Sequence, residues 1–331
     1  MPATNPPALT IIVPMKDEEA VVQTTTERLA RAAEGVVGPS WEILLIDDGS
    51  TDRTYELGSA IAAREPRVRI LKHAKNYGRG RALRTGFAAA RGDVVMSVDA
   101  DLTYDESHVP LLYNALVNDP DADVVLGSAY MPGGKVEGVS ARRLIPSKIG
   151  NLILRFALEG RVYTSTCVLR AYRRKVLEAI DLESDGKDIH LEILERVWAA
   201  GYRVKEIPAT LRGRQKGQGK SKSTFLPTVQ SHLIFSFISR PMVAFGAGGL
   251  LMLVLGVLTG GYITVLWFQS RLTPDRPLMV LTVLMVLGGT QLLSFGFIAL
   301  QIAELRRDIA RVQRDVRLEA AGEGSRRADA A

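Results

Sequence analysis

The stretch Asp93-Val94-Val95-Met96-Ser97-Val98 runs directly into the triplet Asp99-Ala100-Asp101. A short apolar run rich in valine predicts a buried strand, so both carboxylates of the triplet lie where this strand ends. With one residue between them, one carboxylate can point into a cleft while the other follows the loop. Both can then reach one hard cation whose open positions accept phosphate oxygens. We therefore expect a site for a nucleoside diphosphate and a divalent metal at this point of the chain.

Upstream of this strand, short β-branched runs alternate with segments of helical periodicity. The alternation predicts an α/β fold with a doubly wound, mostly parallel sheet, whose ligands bind outside the carboxyl ends of the strands. The predicted strands are 9–13, 41–46 and 68–71, and the predicted helices are 17–33, 52–64 and 81–90. Four polar loops follow strand ends, at Pro14, Asp48, Asn76 and Asp101. We expect these loops to converge on one crevice.

Beyond the triplet the alternation becomes less regular. The pattern predicts strands at 123–126 and 202–211, the second interrupted at Pro208, an extended segment at 164–169, and helices at 141–158 and 189–200. Segment 212–224 is basic and contains several glycines, so we expect a mobile loop over the crevice.

Two long segments near the C-terminal end contain no charged residue, at 241–268 and 278–303. As a helix each would be about 40 Å long, which exceeds the roughly 30 Å hydrocarbon core of a bilayer. The short connection between them predicts a transmembrane hairpin. A pair of buried core helices is the alternative, but core helices seldom run this long without a charge.

Basic residues concentrate on both flanks of the hairpin rather than in its turn, which predicts that the large N-terminal domain and both termini are cytoplasmic. These residues are Arg212, Arg214, Lys216, Lys220, Lys222 and Arg240 before it, Arg306, Arg307, Arg311, Arg314 and Arg317 after it, and Arg271 and Arg276 in the turn. The formal charge of +6 over 331 residues suits anionic lipid headgroups and phosphate ligands. The single cysteine, Cys167, excludes an internal disulfide.

Several short motifs together resemble glycosyltransferase family 2, and with the hairpin they resemble its polyprenyl-phosphate branch. The motifs are Pro14-Met15-Lys16-Asp17-Glu18, Asp47-Asp48-Gly49-Ser50-Thr51-Asp52, Asn76-Tyr77-Gly78, Asp99-Ala100-Asp101, Gly127-Ser128-Ala129-Tyr130 and Arg170-Ala171-Tyr172-Arg173-Arg174. The resemblance implies a GT-A type fold, a nucleotide-sugar donor, Mg²⁺ or Mn²⁺, an inverting transfer and a lipid phosphate as acceptor. It covers roughly residues 8 to 305.

The resemblance also implies roles for particular residues. Asp101 would be the principal metal ligand, with Asp99 near ribose and metal. The expected nucleotide-sugar-binding residues are Pro14, Asp17, Glu18, Asp47, Asp48, Asn76, Gly78, Asp99, Ala100, Asp101, Arg214 and Lys222. The expected acceptor-phosphate residues are Arg142, Arg143, Ser147, Lys148, Arg170 and Arg212, and the expected catalytic residues are Asp99, Asp101, Arg143 and Glu192. For the basic residues, attraction to the membrane surface alone is the alternative.

Three positions depart from the family pattern. Thr103 replaces a glutamine that often follows the second aspartate, Ala129 replaces an arginine, and Thr164 replaces an aspartate proposed as a base. Glu192 is a substitute candidate for the base, and its alternative is a helix-face ion pair with Arg196. A lipid phosphate is already anionic near neutral pH, with a second pKa of about 6, so it needs placing more than deprotonating.

We expect four parts: a cytoplasmic transferase domain at 1–223, a membrane-surface helix at 224–240, the hairpin at 241–303, and a basic helix with a disordered tail at 304–331. The expected partners are the donor, a polyprenyl phosphate and the bacterial plasma membrane, with no nucleic acid. Two other hypotheses stay open, a processive polysaccharide synthase and a degenerate sugar-nucleotide-binding protein. Pairing of identical chains through helix 304–318 also stays open.

Overall fold

The computed structural model describes residues 6–140, 161–213, 241–269 and 277–328, together with 144, 147, 148, 150–152 and 155. The strands are β1 Leu9–Met15, β2 Trp41–Asp47, β3 Val68–Lys72, β4 Val94–Ser97, β5 Val124–Ser128, β6 Lys135–Glu137, β7 Arg170–Arg173, β8 Val204–Pro208 and β9 Thr210–Arg212. The helices are α1 Val22–Val37, α2 Thr54–Arg64, α3 Arg79–Ala89, α4 His108–Val117, α5 Arg174–Ala179, α6 Ile189–Ala199, α7 Pro241–Phe268 and α8 Pro277–Ala328.

Seven strands form one sheet in the order β3-β2-β1-β4-β7-β5-β8. Strand β7 runs antiparallel to β4 and β5, and every other pairing in this sheet is parallel. Strands β1, β2 and β4 are almost wholly buried because helices cover both faces, as their near-continuous apolar sequences predict. The prediction of a mostly parallel α/β sheet is confirmed.

The strand order reverses between β1 and β4, since β2 and β3 lie on one side of β1 and β4 lies on the other. Loops leaving the carboxyl ends of strands diverge at such a switch point and open a crevice there. The loop after β1 and the Asp99-Ala100-Asp101 turn after β4 both leave the sheet beside this point. The topology therefore places the loops that the sequence singled out around one crevice.

Helix α1 begins at Val22, later than the predicted residue 17. The backbone amides of Asp17, Glu18 and Glu19 donate instead to side chains of the next loop, on Ser50, Thr54 and Asp52 respectively. These tertiary hydrogen bonds hold the first expected turn away from the helix, and Asp17 has a left-handed φ of 54°.

Other boundaries also differ from the sequence prediction. Segment 164–169 forms bends, and the strand β7 follows it at Arg170–Arg173. The strand expected over 202–211 is split at Pro208, so that β8 joins the large sheet and β9 pairs with β6 in a second, two-stranded sheet. Helices α4 and α5 had no counterpart in the prediction. Most of the expected helix 141–158 lies outside the described residues.

Helices α7 and α8 are both long and apolar enough to cross a membrane, with candidate spans at Phe245–Phe268 and Pro277–Val316. In the most apolar 18-residue segment of each helix, only 11% and 6% of the segment, respectively, is buried. A core helix of a water-soluble protein would bury its apolar side chains, whereas Trp267 and Leu287 here are 62% exposed. This exposure favours membrane spans over the alternative of core helices.

The two helices pack closely through small residues. A Cβ atom added to Gly249 would lie 2.8 Å from the carbonyl oxygen of Gly289, and the reverse distance is also 2.8 Å. Across the same pair of helices the Thr282 hydroxyl donates to the Thr259 hydroxyl over 2.9 Å. Small residues and interhelical hydrogen bonds are what hold helices together in lipid.

Helix α8 continues without a break to Ala328. It therefore joins the expected second span to the expected basic helix, and the tail predicted to be disordered is helical as far as residue 328. The expected membrane-surface helix at 224–240 lies outside the described residues, as does most of the connection between α7 and α8.

Candidate active site at the carboxyl edge of the sheet

The Asp99-Ala100-Asp101 triplet forms a tight turn at the end of β4. The Leu102 amide donates to the Asp99 carbonyl over 3.1 Å, and Leu102 takes a left-handed φ of 47°. The Thr25 hydroxyl of α1 donates to the Ala100 carbonyl over 2.6 Å, in a buried position. Because Leu102 and Ala100 are buried, packing and this hydrogen bond hold the unusual backbone in place.

Both aspartates line a cleft of about 800 Å³. Arg79, at the start of α3, approaches Asp99 with its Nη2 3.4 Å from Oδ1. The Thr103 amide donates to Asp101 Oδ1 over 3.1 Å and fixes the orientation of that carboxylate. Among the residues that the structure describes, no three His, Cys, Asp or Glu side chains are grouped to hold a metal by themselves.

The cleft brings together half of the predicted site residues. The predicted residues that line it are Pro14, Glu18, Asp48, Asn76, Gly78, Asp99, Ala100, Asp101 and Arg212. They come from the loops after β1, β2, β3 and β4 and from β9. The convergence of the four loops is therefore observed.

Asp48 lines the cleft, but its carboxylate is used to build the neighbouring loop. Oδ1 accepts the Tyr77 amide at 3.0 Å and lies 2.8 Å from His73 Nδ1, and Oδ2 accepts the Gly78 amide at 2.8 Å. His73 Nε2 lies 2.9 Å from the Thr85 hydroxyl, which fixes the ring between the loop and α3. Asp48 therefore shapes the wall of the cleft that residues 76–78 provide.

Two other predicted nucleotide-binding residues do not line the cleft. Asp47 is fully buried, and its Oδ1 accepts the Ser50 amide at 3.2 Å, so the expected contact with a ligand is wrong in this structure. Asp17 points to the loop after β2, where the Thr51 amide donates to Oδ1 over 2.8 Å. This backbone hydrogen bond is the main cause of the lowered pKa of Asp17.

Arg170 was predicted to contact the acceptor phosphate, but its side chain cannot reach such a ligand. Its side chain is fully buried and donates to three carbonyl oxygens, those of Cys167 at 2.9 Å, His190 at 3.0 Å and Ser165 at 2.6 Å. The guanidinium thus ties the loop before β7 to the first turn of α6. Burial also lowers the pKa of His190 well below its ordinary value, so this ring stays neutral beside the cation.

Glu192, the candidate base, braces a loop. Its two carboxylate oxygens accept the backbone amides of Glu183 and Ser184, each at 2.8 Å. These contacts are those of a structural side chain and not of a general base. Glu192 does not form the expected ion pair with Arg196 either, since Arg196 lies 3.3 Å from Glu183 instead. The arrangement makes Glu192 a positioning residue for segment 183–187.

Segment 183–187 is a wall of the cleft that the sequence prediction missed. Gly186 and Lys187 line the cleft. The segment packs on the start of α3, where a Cβ atom on Gly80 would lie only 2.3 Å from the Ser184 carbonyl oxygen. Arg84 Nη1 donates to the Glu183 carbonyl over 2.7 Å. No local sequence pattern predicts that segment 183–187 lines the cleft, because its position depends on contacts with α3, about a hundred residues earlier in the chain.

Two further cations of the cleft were not predicted. Arg79 lies in the glycine-rich turn at 78–80, and Lys16 follows Pro14, where its Nζ donates to the Gly49 carbonyl over 2.8 Å. Their signal was available, since both follow strand ends at the edge where ligands bind. Together with Lys187 they give the cleft positive charge opposite its aspartates.

Arg212 lines the cleft and is held by an acidic neighbour. Its Nη1 lies 2.5 Å from Asp105 Oδ2, and its amide donates to the Thr103 carbonyl over 2.7 Å. Burial acts to raise the pKa of Asp105, but hydrogen bonds from Ser107 and the charges of His108 and Arg212 lower it overall. Arg212 is therefore positioned by an ion pair next to the Asp101 turn.

The remaining acceptor-side residues are not gathered at the cleft. Ser147 and Lys148 are exposed outside its lining, and the Ser147 hydroxyl lies 2.8 Å from that of Tyr130. Thr164, which stands where relatives have an aspartate proposed as a base, is buried with its hydroxyl 2.7 Å from that of Ser128. Four predicted residues lie outside the described part of the chain, namely Arg142, Arg143, Arg214 and Lys222.

Comparison with known proteins gives a family and a set of relatives. The model of the family described as Glycosyl transferase family 2 matches residues 10–181, just over half of the chain. The chain is 34% identical over 217 residues to a polyprenol monophosphomannose synthase from Mycolicibacterium smegmatis, covering 63% of this chain and 79% of that protein. It is 28% identical over 305 residues to an undecaprenyl-phosphate 4-deoxy-4-formamido-L-arabinose transferase from Pseudomonas aeruginosa, covering 91% of this chain and 86% of that protein.

Among solved structures, the chain resembles glucosyl-3-phosphoglycerate synthase from Mycobacterium tuberculosis, crystallised with Mn²⁺, UDP and glucosyl-3-phosphoglycerate. The TM-score is 0.52 at 19% identity, covering 70% of this chain and 80% of that chain. At this identity the likeness establishes the fold alone. It confirms the expectation of a GT-A type fold.

Proposed function

The chain belongs to the glycosyl transferase family 2, and on this basis we propose that it transfers one sugar from a nucleoside-diphosphate sugar to a polyprenyl phosphate at a membrane surface. The proposal rests on one observation: the same chain has a cleft lined by Asp99 and Asp101 and two exposed apolar helices. The relative that matches 91% of the chain is named as an undecaprenyl-phosphate transferase, which supports a lipid phosphate as acceptor.

Asp99 and Asp101 would hold Mg²⁺ or Mn²⁺. Two carboxylates on one turn are hard oxygen donors that suit either ion, and sites with one or two protein carboxylates leave room for substrate phosphates. Among the described residues no group of three or more His, Cys, Asp or Glu side chains forms a complete metal site, which fits that pattern. When bound, the ion would neutralise charge that develops on the departing diphosphate.

Cationic side chains would bind the rest of the donor's charge. Arg79, Lys16 and Lys187 line the cleft from three different loops. Charge-assisted hydrogen bonds from Arg or Lys to phosphate oxygens are short and strong, and their positions would orient the donor. Arg79 lies beside Asp99, so the same guanidinium would serve the aspartate and the diphosphate in turn.

The acceptor phosphate would attack without a protein base. A phosphate oxygen forms a bond to the anomeric carbon, the bond from that carbon to the diphosphate oxygen breaks, and the nucleoside diphosphate departs. A single displacement of this kind inverts the anomeric configuration. The nucleophile is already an anion near neutral pH, because its second pKa is about 6. The engagement of both Glu192 oxygens by backbone amides supports a mechanism without a base.

The cleft would face the cytoplasmic surface of a bacterial plasma membrane. Lys and Arg dominate both flanks of the hairpin, and this bias supports a cytoplasmic position for the flanking segments. The segments expected to form the rest of the site, around Arg143 and Lys222, are themselves rich in basic residues and would attract anionic headgroups.

A transfer assay on membranes tests the proposal. Membranes that carry the protein are incubated with undecaprenyl phosphate and radiolabelled UDP- and GDP-sugars, with Mg²⁺, with Mn²⁺ or with EDTA. We expect one donor to yield a labelled lipid in the presence of metal and none to do so with EDTA. Labelled water-soluble polymer would instead indicate a processive synthase, and donor binding without any transfer would indicate a degenerate site.

A further inference from the structure

One face of α8 carries apolar residues in a heptad pattern that begins at the end of its uncharged run and continues past it. We call this face the apolar seam; it consists of Ile302, Leu305, Ile309, Val312 and Val316. Successive members are three and four residues apart, which is the a and d spacing of a coiled coil. All five are between 48% and 63% exposed.

The opposite face of α8 is occupied by its own chain. Within the hairpin, Thr282 and Gly289 contact α7. Beyond it, Arg314 lies at the f position of the heptad, the farthest from the seam, and its guanidinium donates to the Ala200 carbonyl at the end of α6. The same guanidinium lies 5.8 Å from the Tyr202 ring. Its own chain therefore holds α8 by the face opposite the seam, over the residues that the structure describes.

Lipid cannot cover most of the seam. The uncharged run of α8 ends at Ala303, and Glu304, Arg306, Arg307 and Asp308 follow directly. These charges place the following turns of the helix outside the hydrocarbon core. From Leu305 onward the seam is thus an apolar stripe in water, and such stripes mark interaction surfaces.

We infer that the apolar seam pairs with the seam of a second copy of this chain in a parallel, two-stranded coiled coil. The a positions hold β-branched Ile302, Ile309 and Val316, and one d position holds Leu305, the combination that favours two strands. Two copies with the same membrane topology leave the bilayer in the same direction, so their helices must run parallel.

The flanking charges and the membrane both agree with this pairing. In a parallel pair the g position of one helix faces the e position of the next heptad of the other. Asp308 at g would face Gln313 at e, so no like charges oppose each other there. The cytoplasmic seam is shorter than an independent coiled coil needs, but anchoring in one membrane raises the effective concentration of the copies.

Cysteine cross-linking in membranes tests the inference on the full chain. In a Cys167→Ala background, cysteines are introduced singly at the two d positions, as Leu305→Cys and Val312→Cys. The matched controls are the preceding residues at c positions, as Glu304→Cys and Arg311→Cys. All four sites are exposed, and the membrane fraction is oxidised mildly before electrophoresis. We expect each d variant to form at least about tenfold more of a species of twice the chain mass than its neighbour, because d residues, unlike c residues, meet their counterparts within disulfide reach.

A second variant separates specific pairing from random collision. Ile309→Asp places a charge in the middle of the seam and should remove the cross-link of Val312→Cys, whereas Gln313→Asp should not. Equal cross-linking of d and c variants, its absence at both d sites, or its persistence with Ile309→Asp would overturn the inference. Cross-linking at only one d site would contradict the parallel arrangement, and a product of another mass would point to a different protein. None of these outcomes depends on sugar transfer.

Discussion

Two pairs of aspartates follow strands at the same edge of the sheet, and the structure uses them differently. Asp47 ends β2 and Asp48 follows it. Both are buried, although Asp48 also lines the cleft, and their carboxylates accept backbone amides of the loops that they hold. Asp99 and Asp101 follow β4 and line the cleft beside Arg79. Acidic residues at a strand end therefore indicate where a site is, but burial and the backbone amides that a carboxylate accepts decide whether it builds a loop or meets a ligand.

The largest effect should come from the pair in the cleft. Asp101→Asn keeps the shape of the side chain but removes the charge that would hold the metal, and metal contributes several kcal/mol to such transfers. We expect the transfer rate to fall about a thousandfold, or about 4 kcal/mol, with an unchanged melting temperature. Asp121→Asn, at a surface ion pair with Arg203, is the matched control and should change neither the transfer rate nor the melting temperature. Full transfer by Asp101→Asn would remove the assigned role.

For the buried pair we expect substitution to lower the stability of the fold, and to weaken donor binding only as a consequence. Asp48→Asn turns an acceptor of three contacts into a group that presents its own N–H to a donor, so we expect stability to fall by about 2–3 kcal/mol. Thermal unfolding of the purified protein measures this loss, and donor affinity should weaken as a consequence. Unchanged stability together with abolished donor binding would show that Asp48 contacts the ligand directly.

Glu192 separates a positioning role from a chemical one. Glu192→Gln retains one oxygen for the two amides of segment 183–187, so we expect a loss of about fivefold in kcat/KM, or about 1 kcal/mol. The pH profile of kcat should keep its shape. A general base contributes about a hundredfold or more, so a loss of that size with an altered pH profile would restore the base assignment.

The smallest effect concerns the ion pair that holds Arg212. The pKa of Asp105 is lowered in the folded state, so the unfolded chain takes up the proton first as pH falls. The stabilisation is then complete above the ordinary pKa of about 3.9 and is lost as pH falls through the lower folded value. We expect Asp105→Asn to cost about 1 kcal/mol near neutral pH and nothing at strongly acidic pH. A difference that grows on acidification would contradict this sign.

The sequence allowed the part of the cleft around the Asp99-Ala100-Asp101 turn to be predicted because its signals are local. A strand, its end and the polar residue that follows lie within a few positions, as at Glu18, Asn76 and Asp101. Arg170 and Glu192 could not be assigned in the same way, because their roles depend on partners in other loops, such as Ser165 for Arg170 and Glu183 for Glu192. The length of α8 was also underestimated, since a polar sequence gives no sign that a helix continues.

The most direct test of the contrast between the two pairs is metal-dependent binding of a nucleoside diphosphate. Calorimetric titration of the purified protein with UDP and with GDP, in Mn²⁺ and then in EDTA, is repeated for Asp101→Asn and Asp48→Asn. The account predicts binding that requires metal in the unmodified chain, loss of that requirement together with most affinity in Asp101→Asn, and weaker but still metal-dependent binding in Asp48→Asn. Metal-dependent binding of undiminished strength in Asp101→Asn would contradict the assignment of the metal and diphosphate to the turn after β4.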